Sequence, residues 1–200
     1  MDDLLGKLEA KGALGTLEKL SPEQRQEEFL DRADRQLLVA LHEATLGKTF
    51  EEIIKDEYEC ITPSRAQQIY LSICLLHQFG APVRAGIISR MYGLPFEEFK
   101  KSFFGPLEQI ISAKRDPRSN DMCYMARHSH IAEIVVSTVL SNREDLFHEV
   151  MKALHYLNPS YNSDKVAFRR LLNGRSLLQT FPDHAMVMQL FDSAKSASGE

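Results

Sequence analysis

Along almost the whole of this chain, apolar residues recur three and four positions apart, a period that points to packed helices and to little else. Leu4, Leu5 and Leu8 begin the pattern, and Phe29, Ala33, Leu37, Leu38, Ala40 and Leu41 carry it to about Thr45, with a break near Asp31. Phe50, Ile53, Ile54 and Tyr58 resume it, and Ala66, Ile69, Tyr70, Ile73, Cys74 and Leu76 give a broad buried face. Further helices are expected over Val83–Met91, from Leu94-Pro95-Phe96 onward, over Ile131–Leu140, Asn142–Leu157 and Ser163–Leu172, and over Pro182–Ala194. Their ends are marked. Ser21-Pro22-Glu23-Gln24 and Thr49 with Glu52 have the form of capping boxes, and Thr62-Pro63 is a further start signal. Gly47, Gly93 and Gly174 stand where helices should stop. Asp164 near one helix start, with Arg169 and Arg170 near its end, suits the helix dipole.

One region departs from the period. Ile110–Ala113 and Met122–Ala126 are short enough for strands, and Lys114-Arg115-Asp116-Pro117-Arg118-Ser119-Asn120-Asp121 between them is polar and turn-rich. Two strands around such a loop make a β-hairpin. Preceded by three short helices with a tight Gly-containing connection, the hairpin predicts a winged helix over about Thr62 to Arg127. The expected class is mainly α, with this small hairpin as its β structure and, after it, successive paired helices that resemble a helical-repeat array without a fixed period.

Composition limits the alternatives. The chain has 200 residues, 44% hydrophobic and 26% charged, as in ordinary globular proteins. The apolar stretch Ile131–Leu140 is interrupted by Glu133 and is too short to span a bilayer. Met1-Asp2-Asp3 opens without the apolar region of a secretory signal. Three scattered cysteines, Cys60, Cys74 and Cys123, fit a reducing compartment such as the cytoplasm and no disulfide framework.

Catalytic and metal motifs are fragmentary. Gly47-Lys48-Thr49 resembles the end of a phosphate-binding loop, but the glycine required five residues earlier is His42, and a helix rather than a strand is expected before it. Gly47 as a helix stop and Thr49 as a cap account for the triplet. His42-Glu43 has no second histidine at the HExxH position, where Leu46 stands, and no serine lies in a GxSxG context. Cys123, His128 and His130 lack the fourth ligand of a zinc site. Cys74 with His77 reads as core packing, and His77 as a half-buried residue at the end of an apolar face. No catalytic or metal-binding residue is assigned.

Two binding readings remain. Lys114, Arg115 and Arg118 on the wing could touch a nucleic-acid backbone or a protein partner. The net charge of −4 gives no general attraction to DNA, and Glu97 and Glu98 on the third helix oppose it. The phenylalanines from Phe96 to Phe104 point instead to packing against protein. Arg127-His128, at the junction from strand to helix, could receive an anion, since helix N-termini favour negative charge and arginine grips phosphate with a planar fork. Local capping and ion pairing is the alternative use of the same residues.

Residues 33–48, then Phe50-Glu51-Glu52-Ile53-Ile54 and Asp56-Glu57-Tyr58, look like the segment that follows the nucleotide-binding core in bacterial STAND NTPases, signalling ATPases related to the AAA+ and NACHT groups. Ile69-Tyr70-Leu71, Leu76-His77 and Val83-Arg84-Ala85-Gly86-Ile87-Ile88 are similar to their winged helix. Ala126-Arg127-His128 with Ile131-Ala132-Glu133-Ile134-Val135 resembles the junction after it. The resemblance covers roughly residues 20–175. It implies a helical lid-like region at 1–60, a winged helix at 61–128 and a helical sensor-like segment at 129–200. It also implies that Arg127 and His128 sense the nucleotide phosphate, and that ATP or ADP is bound only together with a P-loop core. The Walker A and Walker B motifs are missing from the sequence, so that core is expected upstream or in a partner. The resemblance further implies signalling, often antiviral, by nucleotide-controlled assembly with a protein partner or further copies of the chain; the short apolar stretches predict no membrane partner. A winged-helix transcription regulator is the alternative.

Overall fold

Both expected capping boxes close. In the computed structural model, the Ser21 N–H donates to Gln24 Oε1 at 3.1 Å and the Gln24 N–H to Ser21 Oγ at 3.3 Å. Thr49 and Glu52 repeat the exchange at 3.0 and 3.3 Å. Each box satisfies two N–H groups that a helix start leaves open. The structure describes residues 2–31, 48–81, 83–99, 104–117 and 120–198. The helical face expected from Ala33 to Thr45, and Gly47, lie outside them.

The chain divides into two compact units, Met1–Glu57 and Tyr58–Glu200. In the first, α1 (Asp2–Ala10), a 3-10 turn (Gly15–Lys19) and α2 (Pro22–Asp31) enclose a small leucine cluster. Leu14 and Leu17 are buried in it, with Leu4, Leu5, Leu8 and Leu20 packed around them. Arg25 ties the turn down, its Nε donating to the Leu17 and Leu20 carbonyls at 2.9 Å and its Nη1 to Glu9 at 3.0 Å. Helix α3 (Phe50–Glu59) follows the second capping box.

In the second unit, α4 (Ser64–Gln78) leads into β1 (Val83–Arg84), α5 (Ala85–Tyr92), the short turns α6 (Phe96–Phe99) and α7 (Gly105–Leu107), and the hairpin β2 (Ile111–Arg115) and β3 (Met122–Ala126). The sheet order is β1-β3-β2, both pairings antiparallel. Helix, strand, helices and hairpin, with the first strand beside the last, is a winged-helix topology, of which the sequence predicts the helices and the hairpin but not the first strand. One correction is needed. Val83 and Arg84 do not begin the helix. They pair with Tyr124 and Cys123 of β3. A two-residue strand has no period of its own, and its hydrogen bonds come from a strand some forty residues away.

Five helices complete the described part of the unit: α8 (Ser129–Val139), α9 (Arg143–Tyr156), α10 (Asn162–Leu171), α11 (Gly174–Thr180) and α12 (His184–Ser198). Gly174 was expected only to stop a helix, yet it begins α11, because Asn173 Oδ1 accepts from the Ser176 N–H at 3.2 Å. The last helix starts at His184 rather than Pro182, since Asp183 Oδ1 accepts from the Ala185 N–H at 2.8 Å.

Helix α4 is the spine of this unit. Ile69, Ile73 and Leu76 are fully buried, and α4 packs along α8 and against β3. Tyr92 of α5 joins it through a buried polar seam. Its hydroxyl lies 2.7 Å from Ser72 Oγ and donates to the Gln68 carbonyl at 2.8 Å. Burial pushes the Tyr92 phenol up to about 12. Farther along, Phe147 of α9 meets Phe181 edge to face, with ring centroids 5.9 Å apart. No helix among the described residues is long and apolar enough to cross a membrane.

Candidate functional site

The chain turns from β3 into α8 at Arg127 and His128. The Arg127 N–H donates to the Ile110 carbonyl at 3.3 Å, which closes the base of the hairpin. His128 is extended, at φ −148 and ψ 145, and caps α8, its Nδ1 accepting from the His130 N–H at 3.2 Å. His130 Nδ1 in turn lies 3.4 Å from Glu133 Oε2. Arg127 and His128 are both exposed. The fold thus brings the two residues together at the start of an eleven-residue helix and engages His128 as a local cap.

His77, near the end of α4, belongs to the same neighbourhood and is half-buried, as expected. Burial, reinforced by the His128 charge and opposed by Glu133, holds its imidazole below the usual histidine value. Its Nδ1 is buried and has no hydrogen-bond partner among the described residues. A group whose folded value is lowered favours the folded state while it is neutral. This contribution is complete above the ordinary value, about 6.5, and is lost as the pH falls through the lowered folded value. Urea midpoints measured from about pH 7.5 to about pH 5 should therefore decline less steeply for His77→Gln than for the parent. Identical slopes would show that His77 contributes nothing.

The wing residues are less concentrated. Lys114 and Arg115 are exposed neighbours on β2, so their side chains leave opposite faces of the strand. Arg115 Nη1 donates to Asn120 Oδ1 at 3.1 Å across the turn. Arg118 lies outside the described residues. Glu97 and Glu98 are exposed on α6. The Gly47-Lys48-Thr49 triplet is occupied structurally from Lys48 onward. Thr49 caps α3, and Lys48 Nζ lies 2.6 Å from Asp56, whose hydrogen bond and charge raise the lysine above its usual value.

Sequence reasoning missed the most elaborate polar site. Asp164, read only as a residue near a helix start that suits the helix dipole, is completely buried. Arg84 donates to it from Nε at 3.1 Å and from Nη2 at 3.3 Å. Arg90 Nη2 donates at 2.8 Å and the Asn158 N–H at 3.0 Å. Arg90 also grips the Tyr156 carbonyl, at the end of α9, with Nε and Nη2. Asp121 lies 3.8 Å from Arg84 Nε, and the Tyr161 ring centroid is 3.9 Å from the Arg84 guanidinium carbon. Burial opposes the Arg84 charge, but Asp164 and then Asp121 outweigh it and hold the guanidinium above its ordinary value. Gly86 leaves room for this guanidinium, since a Cβ there would stand 2.7 Å from Arg84 Nη1. The cluster fastens the winged helix, through β1 and α5, to α9 and α10. Its residues are up to 80 positions apart, so no local motif could reveal it.

Burial pushes the Cys74 thiol up to about 12 and raises that of Cys123, which suits core residues and not nucleophiles. Among the described residues, no group of three or more His, Cys, Asp or Glu is placed to hold a metal ion. Compared with protein-family models, curated proteins and solved structures, the chain matches none.

Proposed function

We propose that this chain is the regulatory, interaction-bearing part of a STAND-type signalling ATPase, acting in the cytoplasm and coupling the nucleotide state of a P-loop core to assembly, with antiviral defence as one setting. The observation that carries this reading is the buried cluster around Asp164. It ties β1 and α5 of the winged helix to α9 and α10 after it, and a relay from a nucleotide site to an assembly surface requires such a tie. Arg127 and His128, exposed at the junction between the two parts, are the candidates for sensing a nucleotide phosphate on the partner core. The chain carries no catalytic step in this proposal, and ATP or ADP is held by the core. Switching requires that nucleotide favour one of two arrangements.

The test is to co-express the chain with a P-loop ATPase encoded beside it and to measure association with and without ADP. ADP should tighten the complex by about tenfold or more, the equivalent of about 1.4 kcal/mol, and Arg127→Ala with His128→Ala should remove that increment. Association that ignores nucleotide, or the absence of such an ATPase, would defeat the proposal.

The alternative is a winged-helix DNA-binding regulator. The exposure of Lys114 and Arg115 favours it, with Arg118 as the third candidate contact. It requires duplex binding that weakens steeply with salt and is lost when the three are replaced. The split of Lys114 and Arg115 across two strand faces, with Glu97 and Glu98 exposed nearby in sequence, makes it the weaker reading.

A further inference from the structure

A cleft of about 290 Å³ opens between the end of α4, the outer face of α8 and α11, lined by Gln78, Phe79, Glu133, Ser176, Gln179 and Thr180. Its lining carries one charged side chain. Glu133 supplies a carboxylate, and no lysine or arginine is in the lining. Gln78 and Phe79 come from the C-terminal end of a fifteen-residue helix, where the backbone carries partial negative charge. Gln78 and Gln179 are exposed amides whose carbonyls can accept, and the half-buried Phe79 adds an aromatic ring to the lining. The hydroxyls are already directed. Thr180 Oγ1 donates to the Ser176 carbonyl at 2.9 Å and Ser176 Oγ lies 3.4 Å from Asn173 Oδ1, so each presents its oxygen chiefly as an acceptor. Arg170 lies against Gly80, one residue beyond Phe79 and outside the lining.

We propose that this cleft binds a guanidinium group. Acceptors of several kinds, one carboxylate and a flat ring suit a planar cation with five N–H donors better than a compact ammonium. The group could belong to an arginine side chain of a partner protein or to a free small molecule, and the chemistry of recognition is the same. The cleft adjoins the start of α8, since Glu133 also lies 3.4 Å from His130 Nδ1, but it uses neither Arg127, His128 nor the wing, and its test does not depend on any ATPase.

The experiment is a titration of the full chain, followed by the side-chain amide resonances of Gln78 and Gln179. The probes are N-acetyl-argininamide, agmatine and the uncharged isostere N-acetyl-citrullinamide. Saturable shifts are expected with both guanidinium probes, and binding about tenfold or more weaker with citrullinamide. Tighter binding of argininamide assigns the site to a peptide side chain, and tighter binding of agmatine to a free ligand. Glu133→Gln should remove the preference for charge, and Gln179→Ala should weaken both cationic probes while leaving the fold unchanged. Absence of saturable shifts, or equal binding of citrullinamide and argininamide, would overturn the proposal.

Discussion

Asp164→Ala is expected to destabilise the chain by about 3 kcal/mol or more, because breaking one side of a buried ion cluster strands the charges on the other. Four donors converge on this one carboxylate: two from Arg84, one from Arg90 and the Asn158 N–H. Arg84 retains Asp121 at 3.8 Å, and Arg90 is about one-third exposed and can recover water. Both place the loss toward the lower end of the usual range. Equilibrium urea unfolding of the whole chain measures it. The double variant Arg84→Met with Asp164→Leu should recover much of the stability, since apolar replacement of a buried pair leaves nothing uncompensated. A loss below about 1 kcal/mol for Asp164→Ala, the scale of an exposed ion pair, would mean that the cluster is wet and holds nothing together. The relay argument would then lose its mechanical basis.

Phe181→Ala should have a comparable effect by a different route, about 3–5 kcal/mol for a fully buried phenylalanine. Phe181 follows directly on α11 as its C-cap, has no exposed surface and meets Phe147 of α9 edge to face. Its removal deletes the ring contact and leaves a cavity that α11, seven residues long, must fill by shifting. Phe181→Leu should cost clearly less, because it keeps most of the volume. Equal losses for the two substitutions would show that the aromatic pairing, and not the space it fills, dominates. A small loss for Phe181→Ala would show that this end of the unit collapses freely.

The helices were legible where the information was local. Ser21 with Gln24 and Thr49 with Glu52 announce helix starts through contacts three residues apart, and the hairpin strands near Ile111 and Met122 were visible between turn residues. What escaped had partners far along the chain or ambiguous punctuation. Val83 and Arg84 form a strand only because Tyr124 and Cys123 lie beside them. Gly174 looks like a helix stop, and only the Asn173 cap turns it into a start. At the candidate sites, Arg127 and His128 fall together as neighbours must, and His128 caps a helix, which was the plainer of its two expected uses. Asp164 was placed correctly near a helix start but misunderstood, because nothing within ten residues reveals two arginines arriving from the winged helix. The guanidinium cleft draws on three separated helices and was equally invisible.

The reach of the Arg84–Asp164 contact has a consequence during synthesis. The winged-helix strands can pair once Ala126 is available, but Asp164 follows about 38 residues later, a delay of about 2–8 s at ordinary elongation rates. For that interval a nascent chain holds the Arg84 guanidinium without its principal partner. Asp121, already made and 3.8 Å away in the finished fold, is the carboxylate at hand to accompany it. Replacing Asp121 should therefore trouble the yield of folded protein from the ribosome more than the stability of the protein once folded.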